Sequence, residues 1–106
     1  GDRSGRLQVG DLVLDPATHA VSRGDRAIDL TAKEFALLEF LVRHSNRLIT
    51  REMAEGHLWS SDRIIASNVV DVYIRRLRRK IDDPSPVKLI ETVRGVGYRI
   101  RSPEGR

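Results

Sequence analysis

Cysteine is absent from this 106-residue chain, which excludes a disulfide framework, a zinc–thiolate site and a thiol nucleophile. The composition fits a reducing cytosol. Aromatic residues make up only 5%, too few for the exposed stacking platform that readers of single-stranded nucleic acid use. No apolar run approaches the roughly 18 residues of a membrane span, and no secretory signal is visible. The acidic residues are not clustered as a metal-dependent nuclease requires. His19, His44 and His57 fall in three separate elements, none beside a Ser and Asp arrangement that suggests a catalytic triad. No enzymatic activity, cofactor or metal site is therefore expected. Methionine occurs once, at Met53, so the chain begins with a processed end or is a piece of something longer. What remains suffices for one domain with a modest core. The polar, Gly-containing start (residues 1–6) reads as a linker or expression remnant, and residues 102–106 as a flexible tail.

One sign of charge is missing where it is ordinarily mixed in. Between Ile74 and Ile81 there is no acid. The surrounding stretch, NVVDVYIRRLRRKI from Asn68 to Ile81, holds Arg75, Arg76, Arg78, Arg79 and Lys80 against Asp71 alone. Its formal charge of +4 equals the net charge of the whole chain, so the other residues balance to zero. Val70, Ile74, Leu77 and Ile81 recur at steps of four, three and four, one stripe of a helix at about 100° per residue. Asn68, Val69, Val72, Tyr73, Arg76, Arg79 and Lys80 fall on the opposite side. Such a helix suits a place between a core and a polyanion, and duplex DNA is the polyanion it fits. The alternative, a solvated surface helix, intersperses acids among bases and has no use for Val69, Val72 and Tyr73. A short apolar group suits a thymine methyl, and a Tyr reaches a phosphate or a base edge.

The remaining sequence frames this helix. Leu7–Val9, Leu12–Leu14, His19–Ser22 and Arg26–Leu30 are short strand candidates separated by Gly10-Asp11, Asp15-Pro16-Ala17-Thr18 and the hairpin signal Arg23-Gly24-Asp25. They predict an antiparallel meander of three or four strands. At Leu30 the period changes. Thr31-Ala32-Lys33-Glu34 is a capping box, with Leu30 and Phe35 at the hydrophobic-staple positions. A helix follows to about His44, facing the core with Phe35, Leu38, Leu41 and Val42, and Ser45-Asn46-Arg47 ends it. Thr50 caps a second helix through about Leu58. Trp59 closes it, and Ser60 to Ser67 is a loop. The basic helix runs from about Ala66 to Asp82, stopped by Pro84 and Pro86, and Asp82-Asp83 reads as a helix-end turn. Lys88–Val93 and Tyr98–Arg101 are strands joined by Arg94-Gly95-Val96-Gly97, whose two glycines permit a tight reversal with positive φ. Asp71 precedes Arg75 by four residues, the favourable order for a helical ion pair. That pairing would partly neutralise Arg75 and ranks Arg76 above it as a contact.

Meander, three helices and terminal hairpin outline a winged helix. NVVDVYIRRLRRKID followed by LIETVRGVGYRI resembles the signature of the OmpR/PhoB-type effector domain of bacterial response regulators, and LTAKEFALLEFLVRH resembles that family's first helix. The resemblance covers about Leu7 to Arg101. It implies an α+β winged helix-turn-helix with an N-terminal antiparallel sheet, three helices and a C-terminal β-hairpin wing. The third helix (about 66–82) would enter the major groove and the wing (about 92–98) the minor groove. Matched position by position, Asn68, Val69, Val72, Tyr73 and Arg76 would face bases or nearby phosphates, with Arg75 beside them. Arg79 and Lys80 would serve phosphates, and Arg94 would reach into the minor groove. Thr92 and Trp59 match backbone-contacting positions, although Trp59 equally suits a lid over the core. Thr50 and Arg51 begin the second helix, whose amides and dipole suit a phosphate. Tyr98 reads as a core residue of the hairpin. In the family the loop at 60–67 can touch RNA polymerase. Here it carries Arg63, Ile64 and Ile65 where relatives are often acidic or aromatic, and the two Ile side chains either pack inward or face a partner.

The resemblance therefore implies sequence-specific binding of double-stranded DNA by the effector domain of a two-component transcriptional regulator of the bacterial cytoplasm, acting at the nucleoid. A receiver domain would precede it, and DNA sites would be direct-repeat half-sites. The alternative is a winged-helix protein-interaction module without specific DNA binding. Salt distinguishes the two, because binding through several Lys and Arg weakens steeply as salt rises.

Overall fold

Four short strands with inward-alternating apolar residues build the first layer. In the computed structural model, which describes residues 5–60 and 68–103, β1 (Leu7–Val9), β2 (Leu12–Asp15), β3 (Ala20–Arg23) and β4 (Arg26–Ile28) form an antiparallel meander in sequence order. The two-residue loops Gly10-Asp11 and Gly24-Asp25 reverse the chain, and Gly10 and Gly24 supply the positive φ that such tight hairpins need. Arg23 stands in the last register pair of its hairpin, opposite Arg26, rather than inside the turn. Strand alternation then points it inward with Val21, and both are buried.

The capping box forms as expected. Glu34 N donates to Thr31 Oγ1 at 3.3 Å, and Glu34 Oε1 accepts from Thr31 N at 2.9 Å. It opens α1 (Ala32–Arg43), which buries Phe35, Leu37, Leu38 and Leu41 against the meander and the other helices. The chain turns at Asn46, with φ +67, into a strand absent from the sequence-based expectation. This is β5 (Ile49–Thr50), which pairs with β7 (Gly97–Ile100), itself paired with β6 (Ile90–Val93). Thr50 then caps α2 (Arg51–Leu58), its Oγ1 accepting from Met53 N at 3.1 Å. The third helix, α3, is described from Val69 to Leu77. The expected loop beyond Ser60, with Arg63, Ile64 and Ile65, and the expected helix start at Ala66 lie outside the described residues, as do most of the expected linker and tail. Ser102 and Pro103, assigned to that tail, are held. Ser102 N donates to Asn46 Oδ1 at 3.0 Å, and the Pro103 ring lies against Gly10.

The end of the third helix departs from the uniform α-helix that its periodicity predicts. Arg78–Asp82 is a π-helical turn, in which Asp83 N donates to Arg78 O at 2.8 Å. The carbonyls that such an end leaves open meet guanidinium donors from the meander: Arg26 Nη1 to Lys80 O and Arg23 Nη1 to Ile81 O, both at 2.9 Å. Asp82 does more than end a helix. Its carboxylate pairs with Arg23 Nη1 at 2.9 Å and accepts the amides of Leu89 and Ile90 at 3.0 and 2.9 Å. Arg23 also donates to Val87 O and pairs with Asp11. One buried ion pair thus joins the meander, the helix end and the root of the hairpin.

Lys80 and Glu34 make a second tie, between the helix end and α1. Lys80 Nζ lies 2.7 Å from the buried Glu34 Oε1 and donates to Asp29 O at 3.0 Å. Burial pushes the Glu34 carboxyl up, but the Lys80 ammonium and the Thr31 amide and hydroxyl outweigh it and hold it below its ordinary value of 4.5. A carboxylate with a depressed folded pKa contributes stability that is full above its unfolded pKa and is lost as pH falls through the folded one.

The two hairpin glycines have different reasons. Gly95 has φ +74, as expected for a reversal. Gly97 does not need positive φ. It is buried, and a Cβ there would stand 2.1 Å from the Ile49 carbonyl oxygen and 2.8 Å from Thr50 Cα. Glycine at this position lets β5 pair with the wing.

Gly97→Ala is accordingly expected to destabilise the fold by at least about 2 kcal/mol through forced separation of β5 and β7. Gly95→Ala, strained only by its φ, is expected to lose about 1 kcal/mol. Urea denaturation of the two variants measures the difference, and equal losses would contradict the close-approach explanation. In the same assay at stepped pH, wild-type stability is expected to decline as pH falls below about 4.5. Glu34→Gln is expected to be less stable at neutral pH but to show a shallower acid decline. A parallel decline would remove Glu34 from the acid response.

Candidate nucleic-acid interface

The inward stripe of the third helix is seated as its periodicity predicts: Val70, Ile74, Leu77 and Ile81 are all buried. This fixes which side faces out. Asn68 precedes the first turn with an exposed side chain that makes no capping bond. Arg75, Arg76 and Arg79 are exposed, and none takes part in an ion pair among the described residues. The Arg76 guanidinium lies 5.0 Å from the centre of the Tyr73 ring, a cation–π contact that holds it across the outer face. Val72 is half-buried on this face.

Several expected contacts have internal partners that the helical wheel did not reveal. Asp71 forms no salt bridge with Arg75, whose charge acts on it only from a distance. Its Oδ1 accepts from Arg51 Nε at 2.9 Å and from the Tyr98 hydroxyl. The first residue of α2 thus reaches the carboxylate across the helix–helix junction and leaves Arg75 outside. Burial pushes the Asp71 carboxyl up, yet the Tyr98 and Arg51 hydrogen bonds prevail and hold it below the ordinary carboxylate range. Burial and Asp71 together push the Tyr98 phenol up. Arg51, expected at a phosphate, therefore spends its Nε on Asp71 while remaining about one-third exposed. Lys80, expected at a phosphate, points instead at Glu34.

Val69 and Tyr73 pack against the edge of the core. That packing accounts for two of the apolar residues on the cationic side without any base contact. Trp59 has the lid position. It is 3% exposed, its ring meets Tyr73 edge-on at 5.2 Å, and Lys33 Nζ lies 5.6 Å over it while donating to Leu58 O. Tyr98 is a core residue of the hairpin, as expected, with the added hydroxyl bond to Asp71.

The wing presents a different chemistry. Arg94 stands exposed beside Gly95 at the hairpin tip and makes no ion pair among the described residues. Glu91, a conceivable partner, is occupied by Arg99 at 2.8 Å and Arg101 at 3.5 Å. Thr92 is exposed, and its hydroxyl accepts from Arg78 Nη2. Arg78 was counted in the sequence only as charge. It also donates to Ile90 O at 3.3 Å, so it ties the helix to β6. Thr50 keeps its hydroxyl on the α2 amide it caps.

The result is an exposed set of Arg75, Arg76 and Arg79 on the third helix, with Arg94 exposed at the wing tip. Guanidinium forks suit phosphate oxygens and base edges. Among the described residues, no group of three His, Cys, Asp or Glu is placed to hold a metal ion, and no helix is long and apolar enough to cross a membrane.

Residues 25–100 match the family described as "Transcriptional regulatory protein, C terminal". Among curated proteins, the transcriptional regulatory protein TcrA of Mycobacterium tuberculosis is 49% identical over 100 residues, 94% of this chain and 40% of TcrA. CusR of Escherichia coli is 42% identical over 101 residues, 95% of this chain and 44% of CusR. The chain spans about two-fifths of the length of these relatives. Among solved structures, the RstA DNA-binding domain of Klebsiella pneumoniae, in complex with the RstA box, superposes with a TM-score of 0.79 at 28% identity over 92% of this chain and 97% of that one. The response regulator DrrB of Thermotoga maritima, an OmpR/PhoB homolog, superposes with a TM-score of 0.80 at 35% identity, covering 92% of this chain and 44% of DrrB. With its meander, three helices and hairpin wing, this chain belongs to the family of transcriptional regulatory protein C-terminal domains and has the winged-helix fold of the OmpR/PhoB type.

Proposed function

We propose that this domain binds double-stranded DNA sequence-specifically as the effector domain of a two-component transcriptional regulator. The observation that carries the reading is the sorting of cations on the third helix. Lys80 is tied to an internal acid, whereas Arg75, Arg76 and Arg79 are left outside on a helix whose other side is fully seated in the core. The likeness to the RstA domain, which is seen with its RstA box, supports the same reading. In it, the third helix lies in the major groove. Arg76 and Asn68 read base edges, Val72 meets a thymine methyl, and Arg75 and Arg79 hold phosphates. Arg94 enters the adjacent minor groove, where a permanent guanidinium charge suits the strong negative potential of a narrow A·T-rich segment.

The whole regulator would carry a receiver domain ahead of these residues, place two copies on direct-repeat half-sites, and meet RNA polymerase through residues 60–67. It would act in the bacterial cytoplasm. These expectations follow from the family resemblance.

The test is fluorescence anisotropy on a selected site and on random duplex across a salt series. With the guanidinium groups of Arg75 and Arg79 on phosphates, the logarithm of affinity is expected to fall with log salt at a slope of roughly −2 or steeper. Arg76→Ala is expected to cost about 1–3 kcal/mol on the selected site and less on random DNA. Salt-independent binding, or an unchanged Arg76→Ala isotherm, would refute the respective assignment. Arg94→Ala is expected to leave stability nearly unchanged and to lose most affinity on sites with an A·T-rich flank. The same loss on G·C-rich flanks would reduce Arg94 to general charge.

A further inference from the structure

The polar contacts between the recognition helix and the wing form one connected set. Asp71 and Arg78 stand seven residues apart, two turns along the same side of the third helix. Asp71 accepts the hydroxyl of Tyr98 on β7. Arg78 donates to the Thr92 hydroxyl and the Ile90 carbonyl on β6. Between these bonds lies the Tyr98 ring, with the guanidinium of Arg51 at 5.6 Å from its centre and that of Arg78 at 5.8 Å. Tyr98 is 6% exposed, so its hydroxyl is spent inside the molecule. Each strand of the wing is therefore held to the helix by its own bond, and Arg51 brings α2 to the same point.

We infer that Tyr98 is a positioning residue: its bond to Asp71, backed by the Arg78–Thr92 bond, sets the pose of the wing relative to the third helix and thereby the reach of Arg94. This rests on the DNA-binding reading above and deepens it. Apolar packing holds a hairpin near a helix but tolerates sliding and tilt. A directional hydrogen bond on a carboxylate shared with Arg51 fixes an angle. The wing tip lies beyond the paired strand residues Val93 and Gly97, so a small change of angle at Tyr98 is enlarged at Arg94.

Tyr98→Phe removes only the hydroxyl and leaves Asp71 paired with Arg51. It is expected to bind A·T-flanked sites about three- to tenfold more weakly, to bind G·C-flanked sites nearly as wild type, and to keep the Arg76-dependent discrimination between selected and random duplex. Combined with Arg94→Ala, it is expected to give no further loss of flank preference. Equal losses on both flanks would mean a direct or purely structural role for Tyr98 and overturn the proposal, as would additive losses in the double variant. A measurement without DNA separates this inference from the DNA-binding reading. Residual dipolar couplings report the orientation of residues 92–97 against residues 69–77 in the unbound domain. The Tyr98→Phe variant is expected to show a changed or broadened orientation, and Asp71→Asn, whose amide oxygen still accepts, a smaller change. Identical couplings in wild type and Tyr98→Phe overturn the positioning role even if the domain binds DNA. Altered couplings support it even if the domain does not.

Discussion

The buried pair of Arg23 and Asp82 is the joint on which the architecture turns. Burying two charges is unfavourable unless their remaining donors and acceptors are met. Here they are: Asp82 takes two backbone amides at the root of the hairpin, and Arg23 takes the Ile81 and Val87 carbonyls and the Asp11 carboxylate. The meander, the last turn of the third helix and the first residues of the hairpin are thus fastened at one point. Apolar packing alone would leave the helix free to rotate about its axis. The fixed pair defines which residues face inward at its C-terminal end, and Lys80 on Glu34 confirms that orientation from the other side.

The elements most legible in the sequence were those whose physics is local. The capping box at Thr31, the cap at Thr50, the four-residue stripe of the third helix and the Gly95 reversal each depend on residues within a few positions of one another. The unread features depend on partners far apart in sequence. β5 is only two residues long and exists because β7 lies beside it. Gly97 looked like a turn residue, yet its role comes from the Ile49 carbonyl almost fifty positions away. Asp71 had a plausible local partner in Arg75, but Arg51 and Tyr98 approach it from two other elements. The π-helical turn leaves no mark in a one-dimensional pattern, because Ile81 keeps the same spacing either way. The joint of Arg23 and Asp82 does leave a mark in the sequence: alternation on β3 puts Arg23 on the inward side beside Val21, and an inward arginine demands a buried acid.

The same distinction divides the candidate site. Charge composition singled out the third helix as the candidate, because concentration of one sign is visible without coordinates. It could not say which cations are spent internally. Lys80 and Arg51 form salt bridges with acids, and Arg78 serves the wing, while Arg75, Arg76, Arg79 and Arg94 form no salt bridge among the described residues. Trp59 and Tyr73 show the converse. Tyr73, placed by periodicity on the outer face, and Trp59, open between a DNA backbone contact and a lid, both take a packing role through their ring contact.

The uneven placement of charge has a kinetic meaning. All of the chain's net charge is carried by the stretch from Asn68 to Ile81, with the remaining residues balanced to zero. Such a molecule is an electrical dipole as well as a cation. In the field of a polyanion it experiences a torque before it experiences contact, and it turns the third helix forward during approach. Orientation is then partly achieved during diffusion rather than by repeated collision, which raises the fraction of productive encounters at low ionic strength and fades as the screening length shortens.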